Sequence, residues 1–303
     1  MAFAQGSRTR LAIGEQADFT TDAAAMKILP YNSHSLDLTK ARVASSEINS
    51  DRMPRVDRHG NREVSGDIVG ELRSEDFDLL IESALFSDFV AGTGDRTIAN
   101  GVTPKFLTVE DGALDIAQYR KFQSLAVTSM NISAGPNAMI MGTFGMVGRN
   151  LVQSGSELHD PSAVTGGEPW DSYSGAITEG GSTIALITAL DFTLTNSFGP
   201  TFVLGSAVTP QLEYGNSIVE GTMTAYYEDE VLINKFLNET ESALTIEFDD
   251  PTSGGAYTFS FPRTKLNGAS VPVGSPQSRL ISIPFIALYD SSAGHQLEIV
   301  ATD

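Results

Sequence analysis

The 303-residue chain contains no cysteine, which excludes a disulfide framework and any chemistry that needs a thiolate. Long apolar runs are also missing, since no stretch approaches the roughly 18 residues of a membrane-spanning helix. The N-terminal stretch "MAFAQGSRTR" lacks the apolar segment of a secretory signal peptide. These absences favour a protein that is assembled in a reducing cytoplasm and does not span a membrane.

Basic residues are scarce: 19 Lys and Arg stand against 38 Asp and Glu, which gives a formal net charge of −19. Proteins that wrap nucleic acid gain affinity from cations that displace counterions, so this composition argues against such a function. It does not exclude a protein past which DNA slides, because a negative wall repels phosphate and prevents adhesion.

One short stretch departs from this acidity. The sequence "SDRMPRVDRHGNREVSG" (50–66) holds four arginines within eleven positions, namely Arg52, Arg55, Arg58 and Arg62. Because Asp51 and Asp57 alternate with them, the stretch is either a salt-bridged surface loop or a clamp that pairs with carboxylates of another subunit. Direct DNA binding is the third interpretation, and the missing aromatics and acidic surroundings disfavour it. We favour the clamp.

The chain also repeats itself. Four segments recur in the same order: 59–72 as 214–227, 36–39 as 190–193, 106–111 as 243–248, and 133–147 as 273–288. The first match, "HGNREVSGDIVGEL" with "YGNSIVEGTMTAYY", has an offset of 155 residues, and the second, "LDLT" with "LDFT", an offset of 154. Four ordered matches predict an internal duplication.

Each repeat predicts the same run of elements: a strand, a long loop (41–61 or 196–216), an alternating strand, a short helix and closing hairpin strands. Alternation by twos puts Val64 and Ile68 on one face and Glu63, Asp67 and Glu71 on the other. In the second repeat, Glu220 and Thr222 lie opposite Val219 and Met223 in the same way. Ser74 is expected to cap the first helix. The predicted fold is mainly β, with two tandem antiparallel β-sandwich or barrel domains, each carrying a short α-helix.

The same pattern sets the expected domain boundaries. We expect an N-terminal arm at 1–25, a first domain at 26–148, a connecting arm at 149–187 and a second domain at 188–303. Residues 149–187 lack clear periodicity and are rich in Gly and Ser.

The stretch 45–85 resembles the signature of tail tube proteins from long-tailed, siphovirus-like bacteriophages. The similarity is carried by Ser46-Glu47, Ser50-Asp51-Arg52, His59-Gly60-Asn61-Arg62, Val64, Gly66-Asp67 and Glu71-Leu72. The opening "EQADFTTDAAAMKILPYNSHSLDL" fits that family too, and the resemblance covers most of the chain.

The resemblance implies a structural virion protein located in the tail and assembled in the host cytoplasm. Such subunits form rings that stack into a hollow tube, which encloses the tape measure protein and later conducts DNA without binding it specifically. Tail terminator and baseplate or distal tail proteins are the further partners it implies. The repeat indicates the type with two fused tube domains, which forms trimeric rings with pseudo-sixfold symmetry.

Within that resemblance, the polar face formed by Glu63, Asp67, Glu71, Glu220 and Thr222 is the candidate lining of the lumen. The alternative is an ordinary solvated face of a half-buried sheet. Arg52, Arg55, Arg58 and Arg62 are then the candidate contacts between rings or subunits. The equivalent loop, 196–216, has no Lys or Arg, so basic and apolar loops would alternate around a trimeric ring and favour one stacking register.

Signals of an enzyme or a metal site are lacking. The four histidines, His34, His59, His159 and His295, show no ligand spacing, and no nucleophile elbow or phosphate-binding loop is present. We expect no catalytic residue, metal or cofactor. The alternative function is a carbohydrate- or receptor-binding β-sandwich protein of the virion or cell surface, for which exposed aromatics should cluster on one loop face.

Overall fold

The computed structural model describes residues 3–173, 175–183, 187–249, 255–273 and 278–302. The fold is mainly β with two short α-helices, as predicted. The first half contains a 3-10 helix (Gly6–Arg8), β1 (Thr9–Glu15), β2 (Lys27–Ile28), β3 (Ser33–His34), β4 (Asp37–Ala44), β5 (Asp57–Glu71), α1 (Asp78–Leu85), β6 (Val90–Ala91), β7 (Asp95–Ala99), β8 (Leu107–Ala113), β9 (Gln118–Ala134), β10 (Met141–Gly148) and β11 (Asn150–Ser154). The second contains β12 (Gly175–Glu179), β13 (Ser182–Thr183), β14 (Ile187–Pro200), β15 (Leu212–Tyr226), α2 (Val231–Leu237), β16 (Ser242–Asp249), β17 (Ala256–Leu266), β18 (Leu280–Ala287) and β19 (Glu298–Thr302).

One antiparallel sheet runs through both halves in the order β4–β5–β10–β9–β14–β15–β18–β17. We call it the long sheet. The halves meet inside it at the pairing of β9 with β14, where Phe192 lies opposite Ile132 and Leu194 opposite Met130. All four of these side chains are buried. This pairing, which we call the seam, makes the two halves one continuous hydrogen-bonded surface.

The remaining strands form an outer set in each half. In the first half β1 pairs β8, β8 pairs β9 and β9 pairs β11; in the second, β12 pairs β16, β16 pairs β17 and β17 pairs β19. Strand β9 serves both layers, and it turns from one to the other near Ser124, which has a φ of +55°. The second half therefore repeats the connectivity of the first, strand for strand.

Strand alternation explains where the core lies. Along β5, Val64 and Ile68 are fully buried while Ser65 and Asp67 are exposed. The buried faces of the long sheet, of the outer strands and of α1 join in one apolar cluster that extends across both halves. A single shared core of this kind makes the halves mechanically dependent on each other.

The hairpins β4–β5 and β14–β15 carry the same irregularity at the same place. In the first, pairing shifts between Lys40–Arg62 and Arg42–His59. The second shifts between Asn196–Ser217 and Phe198–Tyr214. An offset of 156 residues relates the first strands and one of 155 the second strands, so both hairpins share register and bulge. A bulge adds one residue and bends the strand, so both hairpins bend alike.

Two glycines of the repeated motif allow a close backbone approach. A Cβ on Gly66, whose φ is +146°, would lie 2.5 Å from the Ser35 carbonyl oxygen. One on Gly221 would lie 2.7 Å from the Asp191 carbonyl oxygen. Since Ser35 and Asp191 are themselves related by 156 residues, the same contact is present in both hairpins.

The segment between the halves is pinned to both. Trp170 is 1% exposed; its backbone N–H donates to the Leu72 carbonyl, and its own carbonyl accepts from the Ile140 N–H. Its indole N–H donates to the Gly255 carbonyl at 3.2 Å. Trp170 thus ties the first half to the second below the seam.

A buried polar cluster adds a second tie. The Tyr257 hydroxyl, on β17, donates to the Asp78 carboxylate at the start of α1 and accepts from the Glu75 N–H at 3.1 Å. Arg96 also pairs with Asp78. Burial raises the pKa of the Asp78 carboxyl, although the Tyr257 hydroxyl and the Arg96 guanidinium act to lower it.

A short strap joins the halves on the outside. Strand β7 belongs to the chain of the first half, but it pairs with β19 of the second, with Ile98 opposite Ile299. It lies in the long connection between α1 and β8 (86–106). The corresponding connection between α2 and β16 spans only 238–241, so this strap is not repeated.

Several sequence expectations need correction. The predicted loops 41–61 and 196–216 are mostly strand, and the turns left over are 45–56 and 201–211. Ser74 does not cap the first helix, which begins at Asp78 after Phe77. Residues 1–25, expected as an arm, include β1, which is paired and largely buried. The division into domains itself stays a prediction.

No helix in the described residues is both long enough and apolar enough to cross a membrane.

We expect Gly66→Ala and Gly221→Ala each to lower the free energy of unfolding by more than about 1 kcal/mol, because a Cβ would press on a carbonyl oxygen. Gly155→Ala is the matched control, since a Cβ there has no atom within 4 Å. Chemical denaturation followed by fluorescence checks this. Equal stability of the three variants would contradict the close-approach argument.

Tyr257→Phe should lower the free energy of unfolding by about 1–3 kcal/mol, because the buried Asp78 carboxylate loses a donor. A carboxyl whose pKa is raised by folding holds its proton longer in the folded chain, so its contribution to stability falls as pH rises. Losing the hydroxyl raises that pKa further, and the deficit should therefore grow with pH above the ordinary value of 3.8. Tyr289→Phe, at a 62% exposed position, is the control in pH-dependent thermal melts.

Candidate functional site: a projecting hairpin and a polar sheet face

The β4–β5 hairpin projects from the body of the molecule. Every residue from Thr39 to Ala44 is exposed, as is every residue from Ser50 to His59. Between Lys40 and Arg62 the chain carries six basic and three acidic side chains, a local charge of +3 on a protein of −19. A long exposed hairpin of opposite charge is suited to contact another acidic surface.

The four predicted arginines are distributed along this hairpin. Arg52 lies at the tip with a φ of +64°, and Arg55 pairs with Asp51 at 3.0 Å. Arg58 lies on β5 opposite Val43. Arg62 lies at the base, where its backbone N–H donates to the Ala207 carbonyl. The arginines therefore line a rod rather than converge on one point.

Ion pairing within the hairpin is limited. Asp57 pairs with Arg42 at 2.7 Å, and both side chains are more than half exposed. Within the described part of the chain, Arg52 and Arg58 have no carboxylate within 4.0 Å. Exposed pairs of this kind contribute little stability, so the guanidinium groups stay available to a partner.

Sequence reasoning missed the apolar part of the hairpin. Ile48 is 101% exposed and Met53 67%, and Val43 and Val56 are exposed beside them. Isolated exposed apolar residues are common, but these four share one hairpin end. A contact surface that combines arginine with apolar side chains resembles the composition of protein interfaces.

The β14–β15 hairpin behaves differently, because it leans on the first half. Phe198 and Tyr214 pack against Phe86, with ring centroids 5.8 and 5.4 Å apart. The Asn196 side-chain amide donates to the Ala84 carbonyl at 2.7 Å and to the Val127 carbonyl at 3.2 Å. Only its tip stays free, where Leu204 is fully exposed.

The five predicted lumen residues share one face of the long sheet. Asp67 and Glu220 are exposed, while Glu63, Glu71 and Thr222 are half-buried. Glu63 lies opposite Thr39, and Glu220 lies opposite Thr193. All five point away from the apolar core, since their neighbours Val64, Ile68 and Val219 are buried.

This polar face continues across the seam. The Asn131 side-chain amide donates to the Asp191 carboxylate at 2.9 Å and to the Thr193 hydroxyl at 2.9 Å. Thr143, on β10, lies opposite Asn131. The face is therefore a continuous polar surface of carboxylates, hydroxyls and amides, which offers no cation to hold a phosphate.

Chemistry at a metal centre finds no support in the same region. No group of three or more His, Asp or Glu side chains in the described residues could hold a metal ion.

Comparison with known proteins follows this geometry closely. No curated protein matches the chain. A family model described as phage tail tube protein matches residues 6–287, which include both hairpins and the whole long sheet. This match spans almost the entire sequence and agrees with the resemblance carried by 45–85. The chain therefore belongs to the phage tail tube protein family, whose members are structural proteins of the virion tail that assemble into a tube.

Proposed function

We propose that each chain supplies two fused tube domains and that three chains form one ring of the tail tube. The observation that carries this is the repeated connectivity: the same strand pairings, hairpin bulge and glycine contact occur in both halves. Duplication of one ancestral tube domain accounts for all three. In this scheme β1 and β11 belong to the first domain and β12 to the second.

The long sheet is the wall of the tube in this proposal. Three chains of eight strands give a closed surface of 24 strands. Its polar face, with Glu63, Asp67, Glu71, Glu220 and Thr222, lines the lumen. Closing the sheet removes its edges, which are otherwise sites of uncontrolled association.

The lumen surface serves passage and not binding. Carboxylates repel the phosphates of DNA, and hydroxyls and amides keep the wall wetted. Before ejection the same lumen encloses the tape measure protein. The tail terminator and the baseplate or distal tail proteins cap the two ends, and assembly takes place in the host cytoplasm.

The β4–β5 hairpin connects successive rings. Arg52, Arg55, Arg58 and Arg62, with Ile48 and Met53 at the same end, meet the acidic surface of the adjacent ring. The second hairpin is held on its own chain through Phe198 and Tyr214. Projecting and retained hairpins then alternate around the ring, which favours one stacking register over the other.

Electron microscopy of the purified protein tests the ring and its symmetry. We expect stacked rings or hollow tubes at raised concentration, with three chains and six similar lobes in each ring. A monomer at every concentration would contradict assembly, and six whole chains in a ring would contradict the fused-domain scheme.

Arg55→Glu should leave the melting temperature nearly unchanged and strongly reduce the yield of sedimentable tubes. The reversal removes attraction to an acidic partner surface and adds repulsion. Arg8→Glu, an equal charge change at an exposed site outside the hairpin, is the control and should sediment like the parent chain. Equal tube yields for both variants would sink the clamp.

Asp67→Lys combined with Glu220→Lys should make assembled tubes retain short duplex DNA at low salt and release it as salt is raised. Co-sedimentation of labelled DNA with the tubes measures this. Asp160→Lys, at an exposed position between β11 and β12, gives a charge change away from the polar face. DNA retention by that control but not by the double variant would contradict the lumen assignment.

A further inference from the structure

The seam inside one chain serves as a template for contacts outside it. At the seam, β14 lies antiparallel to the end of β9, with Leu194 opposite Met130 and Phe192 opposite Ile132. Thr193 lies opposite Asn131 on the polar face. Because both halves have the same strand order, each of these two strands has an equivalent in the other half.

The equivalent of β14 is β4. Leu38 lies opposite Val64 as Leu194 lies opposite Val219, so an offset of 156 residues relates the two strands. In the described residues β4 pairs with β5 alone, and its other edge is open. The strand that ends the long sheet on this side is therefore the one that matches the strand on the far side of the seam.

The equivalent of the end of β9 follows β17. Ser270 lies opposite Ser282 as Asn131 lies opposite Thr143, which gives an offset of 139 residues on both strands. The stretch 268–271 thus corresponds to 129–132, and it ends the long sheet on the other side. Ala269 and Val271 pack against the core, as Met130 and Ile132 do.

Side chains shield both open edges. The Leu38 N–H donates to the Asp37 carboxylate at 2.8 Å. The Val271 carbonyl accepts from the Arg279 guanidinium at 2.9 Å. An unshielded edge would present bare donors and acceptors to any other strand. The two shields carry opposite charges, Asp37 being acidic and Arg279 basic.

We propose that the partner of these edges is a second copy of this chain, in the register that the seam prescribes. Leu38 of one copy lies opposite Ala269 of the other, Asp37 opposite Ser270 and Leu36 opposite Val271. Apolar residues then meet on the core side, and Asp37 comes beside Arg279 once both side chains leave their own backbones. This inference rests on the proposed function and deepens it.

The surface above the junction supports the same partner. At the seam, Phe198 and Tyr214 cover the joint; the offsets replace them by Arg42 and His59 on β4–β5. On the facing half, Glu241 precedes β16 as Phe106 precedes β8, and Phe106 packs near Phe198. An apolar cover inside the chain is thus replaced by an ionic one between chains.

Helix α2 has the matching deficit. In α1, Leu80, Ile81, Ala84 and Leu85 are buried, and the Ala84 carbonyl accepts from Asn196 across the seam. No residue of α2 is buried, and Val231 and Leu237 are 49% and 66% exposed. A second copy seated by the proposed register places its β4–β5 hairpin, with Lys40 in the position of Asn196, beside this helix.

Disulfide trapping tests the register, because the chain has no native cysteine. Asp37 and Ser270 would form a non-hydrogen-bonded pair with Cα atoms about 4.5 Å apart, which is within disulfide range. We expect Asp37→Cys with Ser270→Cys to give, under mild oxidation, covalent dimers and a closed trimer on a non-reducing gel. Thr39→Cys with Ser270→Cys, two residues out of register, should cross-link at least tenfold less.

Asn131→Cys with Thr193→Cys is the internal control, since these residues are already opposite each other at the seam. It should form a disulfide without any change in mass. Tubes that assemble while the 37–270 pair stays reduced, or that cross-link best through the 39–270 pair, would overturn the register and leave the proposed function intact. Failure of every variant and of the parent chain to form rings would instead count against the proposed function.

Discussion

Backbone hydrogen bonding at the edges of the long sheet is the constraint on which the rest of the structure depends. A strand buried in a sheet pairs its N–H and C=O groups on both sides, and an edge strand leaves one row open. Within one chain, the pairing of β9 with β14 closes the gap between the halves. Trp170, the Asp78–Tyr257 contact and β7 all reinforce that pairing from other layers.

The two halves keep a common backbone and differ in what their side chains contact. The hairpins share register and bulge, yet Phe198 and Tyr214 seat one of them on Phe86, while the other carries Arg42 and His59 into solvent. Apolar contacts suit a joint that forms once during folding. Charged contacts suit a joint that forms later between folded acidic molecules, because attraction guides their approach.

Much of this fold is readable from the sequence, and the failures have physical causes. The alternation of Val64 and Ile68 with Glu63 and Asp67 predicts the faces of β5, because a strand buries every second side chain. The match of 36–39 with 190–193 misses the structural offset by two residues, which preserves the face. The match of 133–147 with 273–288 misses it by one, which would reverse the face.

The candidate site was predicted less completely. The arginines stand out because they are rare in this chain, and the carboxylates stand out through alternation. Ile48 and Met53 carry no such signal, since an apolar residue near a turn is as compatible with burial as with exposure. Nor does sequence reveal that Asp37 and Arg279 shield sheet edges, because that role depends on which strand has no neighbour.

The strap formed by β7 has a mechanical consequence. Inside a chain, the two halves are joined in the long sheet by β9–β14 and on the outside by β7–β19. The short connection 238–241 cannot form an equivalent strap to a neighbouring chain, so a joint between chains has only the inner row of hydrogen bonds. Under strain, a tube of such chains yields between chains, and whole subunits detach before any one is torn open.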